Sequence, residues 1–177
     1  MGHKRVQCVE AEQFLKTLLV GAELATFEYW ADFIVRIERD IHREHSPTER
    51  QEIPTPSVVW LRLEADWWVG NREWWEAAKA SFPIKQRRMH STNDVPMKAA
   101  AIAQMIGSAI TSVAVSSDGT LSVKTSDEVT FSVCGVSDAH EYSWSIERRD
   151  DEFHVSDLLL VCETDGSLFG QSPGAFS

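Results

Sequence analysis

The sequence predicts an α+β fold made of two divergent copies of one helix–glycine–antiparallel-strand unit, set in one shared or pseudo-symmetric sheet assembly. Residues 14–37 and 100–125 each run from an apolar helical stretch through a glycine, Gly21 or Gly107, into two strand patterns. Each pair of strand patterns is parted by a short turn holding an aspartate, Asp32 or Asp118. A second match follows, 57–63 against 128–134. A recurring order of elements is the signature of a duplicated supersecondary unit. The expected division is 1–92 for the first copy, with a loop inserted at 40–56, and 93–177 for the second. The copies form two small units or one compact domain. Either copy alone has too few strands to cover its own hydrophobic face, which favours a shared sheet.

The elements follow in order. In 9–20, Phe14, Leu15, Leu18 and Leu19 recur at helical spacing behind acids in the first turn, which predicts an amphipathic helix. Gly21 stands where a C-terminal cap is expected. Strand signals cover 23–30 and 33–39, with Val35 and Ile37 flanking Arg36 in half-buried alternation. Residues 40–56 are polar and carry three prolines, which predicts a surface insertion. Strand returns at 57–65, with Val59, Leu61 and Leu63 on one face. Residues 73–80 fit a helix or an incoming strand. Residues 82–95 read as the joint between copies. Pro96 opens a second helix over 97–106, and Gly107 ends it. Strands are expected at 110–115, 120–125, 129–134 and 142–147, and the apolar run 158–162 reads as a buried strand. Asp118-Gly119 is a hairpin turn signal. Acid-rich turns are expected at 150–152 and 163–166, and a mobile tail at 171–177.

Composition bounds the function. The chain has 177 residues, 43% hydrophobic and 25% charged, as soluble globular proteins have. No apolar run approaches the ~20 residues of a membrane helix, and no h-region marks a signal peptide. Cys8, Cys134 and Cys162 are odd in number and lack C-x-x-C spacing, which predicts reduced thiols and a cytoplasmic location. A Cys134–Cys162 bridge is the minor alternative. Of the net charge of −10, residues 118–165 carry all but one unit. That face repels phosphate backbones and steers basic proteins toward it, or it simply keeps the chain soluble. The basic run at 85–88 is too short, in too acidic a chain, to indicate nucleic acid.

Five of the seven tryptophans fall between Trp60 and Trp75. The adjacent pairs Trp67-Trp68 and Trp74-Trp75 are hard to bury whole, because neighbours in a strand face opposite sides and neighbours in a helix diverge by about 100°. One indole of each pair is expected at the surface. The readings are a tryptophan-rich core with one exposed edge, a protein interface, or a platform for a sugar or base. Trp75 and Trp144 are expected at corresponding places in the two copies, which assigns them to packing. The candidate partner-binding residues are Trp67, Trp68, Trp74, Trp75, Asp138, Glu141, Asp150, Asp151 and Glu152.

Catalytic and metal motifs are missing. His42 and His45 have H-x-x-H spacing but no third ligand, in a proline-bounded loop. Ser143 and His140 lie on opposite faces of an expected strand, which does not suit a nucleophile and its base. The acids 150–152 suit a turn better than a cation site. There is no G-x-S-x-G, P-loop or G-x-G-x-x-G. No catalytic residue, metal or cofactor is expected.

Residues Ile106-Gly107-Ser108-Ala109-Ile110, Leu121-Ser122-Val123 and Glu141-Tyr142-Ser143-Trp144-Ser145-Ile146 form an apolar-glycine start, an Asp-Gly hairpin and a tryptophan strand. In this the stretch 105–147 resembles small β-rich bacterial domains of unknown function, several of them similar to immunity proteins encoded beside polymorphic toxins. The likeness does not extend to 38–95 or to the end of the chain, and no functional residue is carried over from it. It implies a non-enzymatic protein that binds and neutralises a cognate toxin domain, or another basic protein. The alternative is a small-molecule-binding protein or enzyme with a pocket between the copies.

Overall fold

The structure, a computed structural model, describes residues 4–39, 56–81, 94–138, 141–150 and 155–170. In chain order these form β1 (Lys4–Val6), α1 (Cys8–Leu19), β2 (Glu23–Tyr29), β3 (Phe33–Glu38), β4 (Val58–Leu63), β5 (Trp67–Val69) and α2 (Arg72–Ser81). Then come α3 (Val95–Met105), β6 (Ile110–Val115), β7 (Leu121–Thr125), β8 (Thr130–Val133), β9 (Tyr142–Asp150), β10 (Val155–Glu163) and β11 (Leu168–Gly170). The fold is α+β, and every strand pairing is antiparallel. The inserted loop 40–56, save Pro56, lies outside the described residues. So do the joint at 82–93, the His42/His45 spacing, His140, the basic run 85–88, Asp151, Glu152 and the tail.

Helix α1 forms as its apolar spacing predicts. Ala11, Leu15, Leu18 and Leu19 are buried, and the Gln7 N–H donates to Glu10 at the first turn. Each buried leucine contributes about 2 kcal/mol by removal from water. Gly21 and Gly107 both have φ of 85°, a left-handed turn that ends α1 and α3 and that glycine adopts without a Cβ clash. Four backbone bonds then tie the two helix ends reciprocally: Gly21 N to Ile110 O, Gly107 N to Leu24 O, Leu24 N to Ser108 O, and Ile110 N to Ala22 O.

The strands form a seven-stranded sheet, β1-β11-β10-β9-β4-β3-β2, and a four-stranded sheet, β5-β8-β7-β6. The runs β2-β3-β4 and β6-β7-β8 pair alike, with a register shift at Leu24/Thr26 in one and at Ile110/Ser112 in the other. The next strand of each run crosses over: β5 pairs with β8, and β9 pairs with β4. Trp67 thereby lies opposite Val133, and Trp144 lies opposite Leu63. The two helices cross as well, α1 packing on β6 and α3 on β2. One buried cluster runs through α1, α3 and the inward residues of both sheets.

Trp75 and Trp144 do not occupy corresponding places. Trp75 stands on helix α2 and Trp144 on strand β9, whereas Trp67 lies, like Trp144, on a strand that pairs into the other run. The two tryptophan pairs look alike in sequence, but only the first lies on a strand.

Candidate functional site

The crossing from β4 to β5 takes only three residues, Glu64, Ala65 and Asp66. Beside it the β2–β3 turn and the start of α3 stand apart, leaving a cleft of about 560 Å³. Its lining includes Asp66, Trp67, Arg72, Asp94 and Lys98, together with Tyr29, Asp32, Phe33, Glu64, Cys134, Val136 and Asp138. Residues of both 1–92 and 93–177 line it.

The lining holds a cation of its own. Lys98 is buried, with Nζ 3.1 Å from Asp66 Oδ1, 3.0 Å from Asp94 Oδ2 and 5.3 Å from the Trp67 ring centroid. A buried ammonium persists when carboxylates and an aromatic face replace its water. The Arg72 guanidinium lies 4.6 Å from the Trp68 ring centroid and reaches Asp66 at 3.8 Å. Lys79 joins from α2, 3.0 Å from Glu76 and 3.9 Å from Asp94. Burial opposes its charged form, yet Glu76, Asp66 and Asp94 hold its pKa above the usual lysine range.

The rest of the lining is largely aromatic and acidic. The rings of Tyr29 and Phe33 lie 4.8 Å apart, and Phe33 meets Trp67 edge-on at 5.2 Å and 83°. Arg62 approaches Asp32 and Glu64 at 3.8 Å each but donates to the buried Glu147 at 3.0 Å. Cys134 is half-buried. Burial raises its thiol pKa despite the opposing pull of Arg72. Among the described residues, no three His, Cys, Asp or Glu side chains are grouped to hold a metal ion.

The expected partner-binding residues fall in several places. Trp67 and Asp138 meet in the cleft, one buried and one exposed. Trp75 is buried against Trp67 at 6.0 Å, Trp68 is half-buried under Arg72, and Trp74 is 63% exposed. Glu141 is exposed just before β9. Asp150 ends β9, and its side chain is not among those described. Sequence reasoning passed over Tyr29, Asp32, Phe33, Asp66, Arg72, Asp94 and Lys98. One signal was present: Lys98, Ile102 and Met105 lie at i, i+4 and i+7 on α3, so a lysine sits in an apolar stripe.

No protein-family model, curated protein or solved structure matches this chain. Among the described residues, no helix is long and apolar enough to cross a membrane.

Proposed function

We propose that this chain is a non-enzymatic protein-binding protein, most concretely an immunity protein that neutralises a cognate bacterial toxin domain by covering a basic surface. The observation that carries protein binding is the mouth of the cleft. Tyr29 and Val136 line it and are 43% and 54% exposed; Trp30, between two lining residues, is 82% exposed. Exposed aromatics beside desolvated charge are the usual composition of an interface anchor. The lining carries five acids, Asp32, Glu64, Asp66, Asp94 and Asp138, and two bases, Arg72 and Lys98, which favours a basic partner. The toxin partner and the cytoplasmic setting rest on the likeness of 105–147 to immunity-like domains. The reciprocal helix-end bonds and crossed strands support the reading of 1–92 and 93–177 as divergent copies.

The test is co-purification with the product of the neighbouring gene, repeated with Trp30→Ala. A complex that survives 0.15 M salt and weakens about tenfold in the variant is expected. Absence of a complex with any neighbouring product refutes the immunity reading. The cleft volume supports a second reading, a small-molecule ligand held between the halves, since pockets of this size suit such ligands. A saturable rise in melting temperature with a cellular metabolite, unaffected by Trp30→Ala, would favour it.

A further inference from the structure

We propose that the free edge of strand β2 receives an extended, basic segment of the partner protein, which adds to the sheet as a further strand against Phe27 and Tyr29. The inference rests on the protein-binding reading and assigns that interface its backbone contact. Strand β2 ends the seven-stranded sheet. Its start is already taken: Leu24 N donates to Ser108 O, Gly107 N donates to Leu24 O, and Glu23 bridges Ala109. From Phe27 to Tyr29, only β3 pairs with it among the described residues. In an antiparallel pair, residues that exchange bonds with the neighbouring strand alternate with residues whose N–H and C=O point away from it. Trp30 N donates to Asp32 O, which makes Tyr29 and Phe33 a pair of the second kind. By the same alternation Phe27 and Val35 are another. Phe27 and Tyr29 therefore turn their N–H and C=O groups out of the sheet edge, which is the pattern an added strand pairs with.

Strand β6 closes its own edge where β2 does not. Ser116 N donates to Thr120 O, so Val115 is likewise turned outward, and Glu12 on α1 accepts from its N–H at 3.0 Å. Val115 follows Ile110 at the same spacing as Tyr29 follows Leu24, and Glu12 precedes Gly21 by as many residues as Lys98 precedes Gly107. On α3 the place of the accepting carboxylate is thus held by a lysine, which cannot accept, and its Nζ goes to Asp66 and Asp94. Tyr29 lines the cleft, so there is open space at this end of β2. Tyr29 and the neighbouring Trp30 are exposed, and aromatic residues are strong partners in cross-strand pairs. Charge selects the occupant. Strand β2 carries two acids, Glu23 and Glu28, and no base; Arg149 approaches Glu28 at 3.7 Å, but the cleft lining and the whole chain remain acidic. A second copy of this chain fits poorly. The antiparallel register that uses Phe27 and Tyr29 of both copies sets Glu28 against Glu28, and like charges directly opposite destabilise a pair.

The experiment follows backbone amide exchange of the full chain by NMR, alone and with acetyl-Thr-Val-Lys-Val-Thr-amide. In the free chain, after correction for intrinsic rates, the Val115 amide should exchange about tenfold more slowly than that of Tyr29, because only Val115 has an acceptor. The peptide should slow exchange at Phe27 and Tyr29 saturably, by about fivefold or more, and leave Val115 unchanged. The same peptide with Glu at its centre should bind more weakly. The lysine peptide N-methylated at its three central residues keeps its side chains but loses those donors, and it should not bind. Tyr29→Pro removes the outward donor without touching the bonds to β3 and should abolish the protection of Phe27, whereas Tyr29→Ala, which keeps the donor, should retain it. If Tyr29→Pro fails to fold, the N-methylated peptide decides. The absence of saturable slowing, equal binding of the N-methylated or the glutamate peptide, or self-association of the free chain through these amides overturns the proposal. Capture of a neighbouring gene product in whose complex Phe27 and Tyr29 exchange as in the free chain overturns the edge assignment alone and leaves protein binding standing. Peptide protection with no captured product supports the edge assignment and refutes the immunity reading.

Discussion

A Cβ at Gly135 would stand 2.1 Å from the Asp118 carbonyl oxygen and 2.2 Å from the Gly119 carbonyl carbon. Both are backbone atoms of a turn, so neither can swing aside. Gly135 O also accepts from the buried Ser143 hydroxyl at 2.6 Å, which fixes the peptide from its other side. Gly135→Ala should therefore destabilise the chain by about 3 kcal/mol or more, the upper range for overpacking, measured by urea unfolding; a loss under about 1 kcal/mol would show that the turn can shift. Trp75 offers the opposite case. Its ring is buried, yet its Nε1 has no hydrogen-bond partner among the described residues. An unpaired buried donor costs free energy, so Trp75→Phe should lose under about 1.5 kcal/mol, because the lost volume is offset by removing that donor. Trp75→Ala should lose about 3–5 kcal/mol through the cavity it leaves. Equal losses in the two variants would mean that the indole N–H is satisfied in solution.

At the scale of elements, one carboxylate adds a polar tie to the apolar contact of α1 with β6. Glu12 accepts from Lys16 Nζ at 2.6 Å and from the Val115 N–H at 3.0 Å. These bonds outweigh burial and hold its pKa below the usual carboxylate range. As pH falls, the unfolded chain takes up this proton before the folded one. The stabilisation is thus complete above the unfolded pKa and lost as pH falls through the folded one. Glu12→Gln should cost about 1 kcal/mol at neutral pH, with the difference from wild type closing below about pH 4; urea midpoints from pH 7 to 3 provide the check. Much at this scale was legible in the sequence. The 3.6-residue spacing of α1, the two capping glycines and the Asp118-Gly119 turn all act locally, so a short window carries them. Strands β1, β5 and β11 have three residues each, too few for alternation to register. Strand β5 was hidden further, because Trp67-Trp68 reads as bulk and not as pattern. The cleft escaped for a different reason. Tyr29, Asp66, Asp94 and Asp138 are far apart in the chain, and the crossed pairing of β5 with β8 and the packing of α3 on β2 bring their segments together.

For the molecule as a whole, that crossing decides how stability is shared. Strand β4, from residues 1–92, has β9 from 93–177 along one edge; β8 has β5 in return. Strand β1 pairs with β11, and each of α1 and α3 packs on a strand of the other half. The core cluster takes in residues of both halves, from Val6 to Leu168. Cutting the chain there would unpair the edges of β1, β4 and β5 and expose buried Leu61, Leu63 and Trp67 in the first fragment. Unpaired apolar edges favour association over independent folding. Fragments 1–92 and 93–177 should each lack a cooperative unfolding transition alone. Mixed in equal amounts, they should regain the circular dichroism of the intact chain. The uncut protein should unfold in one step, with tryptophan fluorescence and far-ultraviolet circular dichroism giving the same midpoint, since Trp67 and Trp144 report from opposite sides of the exchange. Separate midpoints, or a fragment that folds alone, would mean that the exchanged strands are peripheral and that each half completes its own sheet.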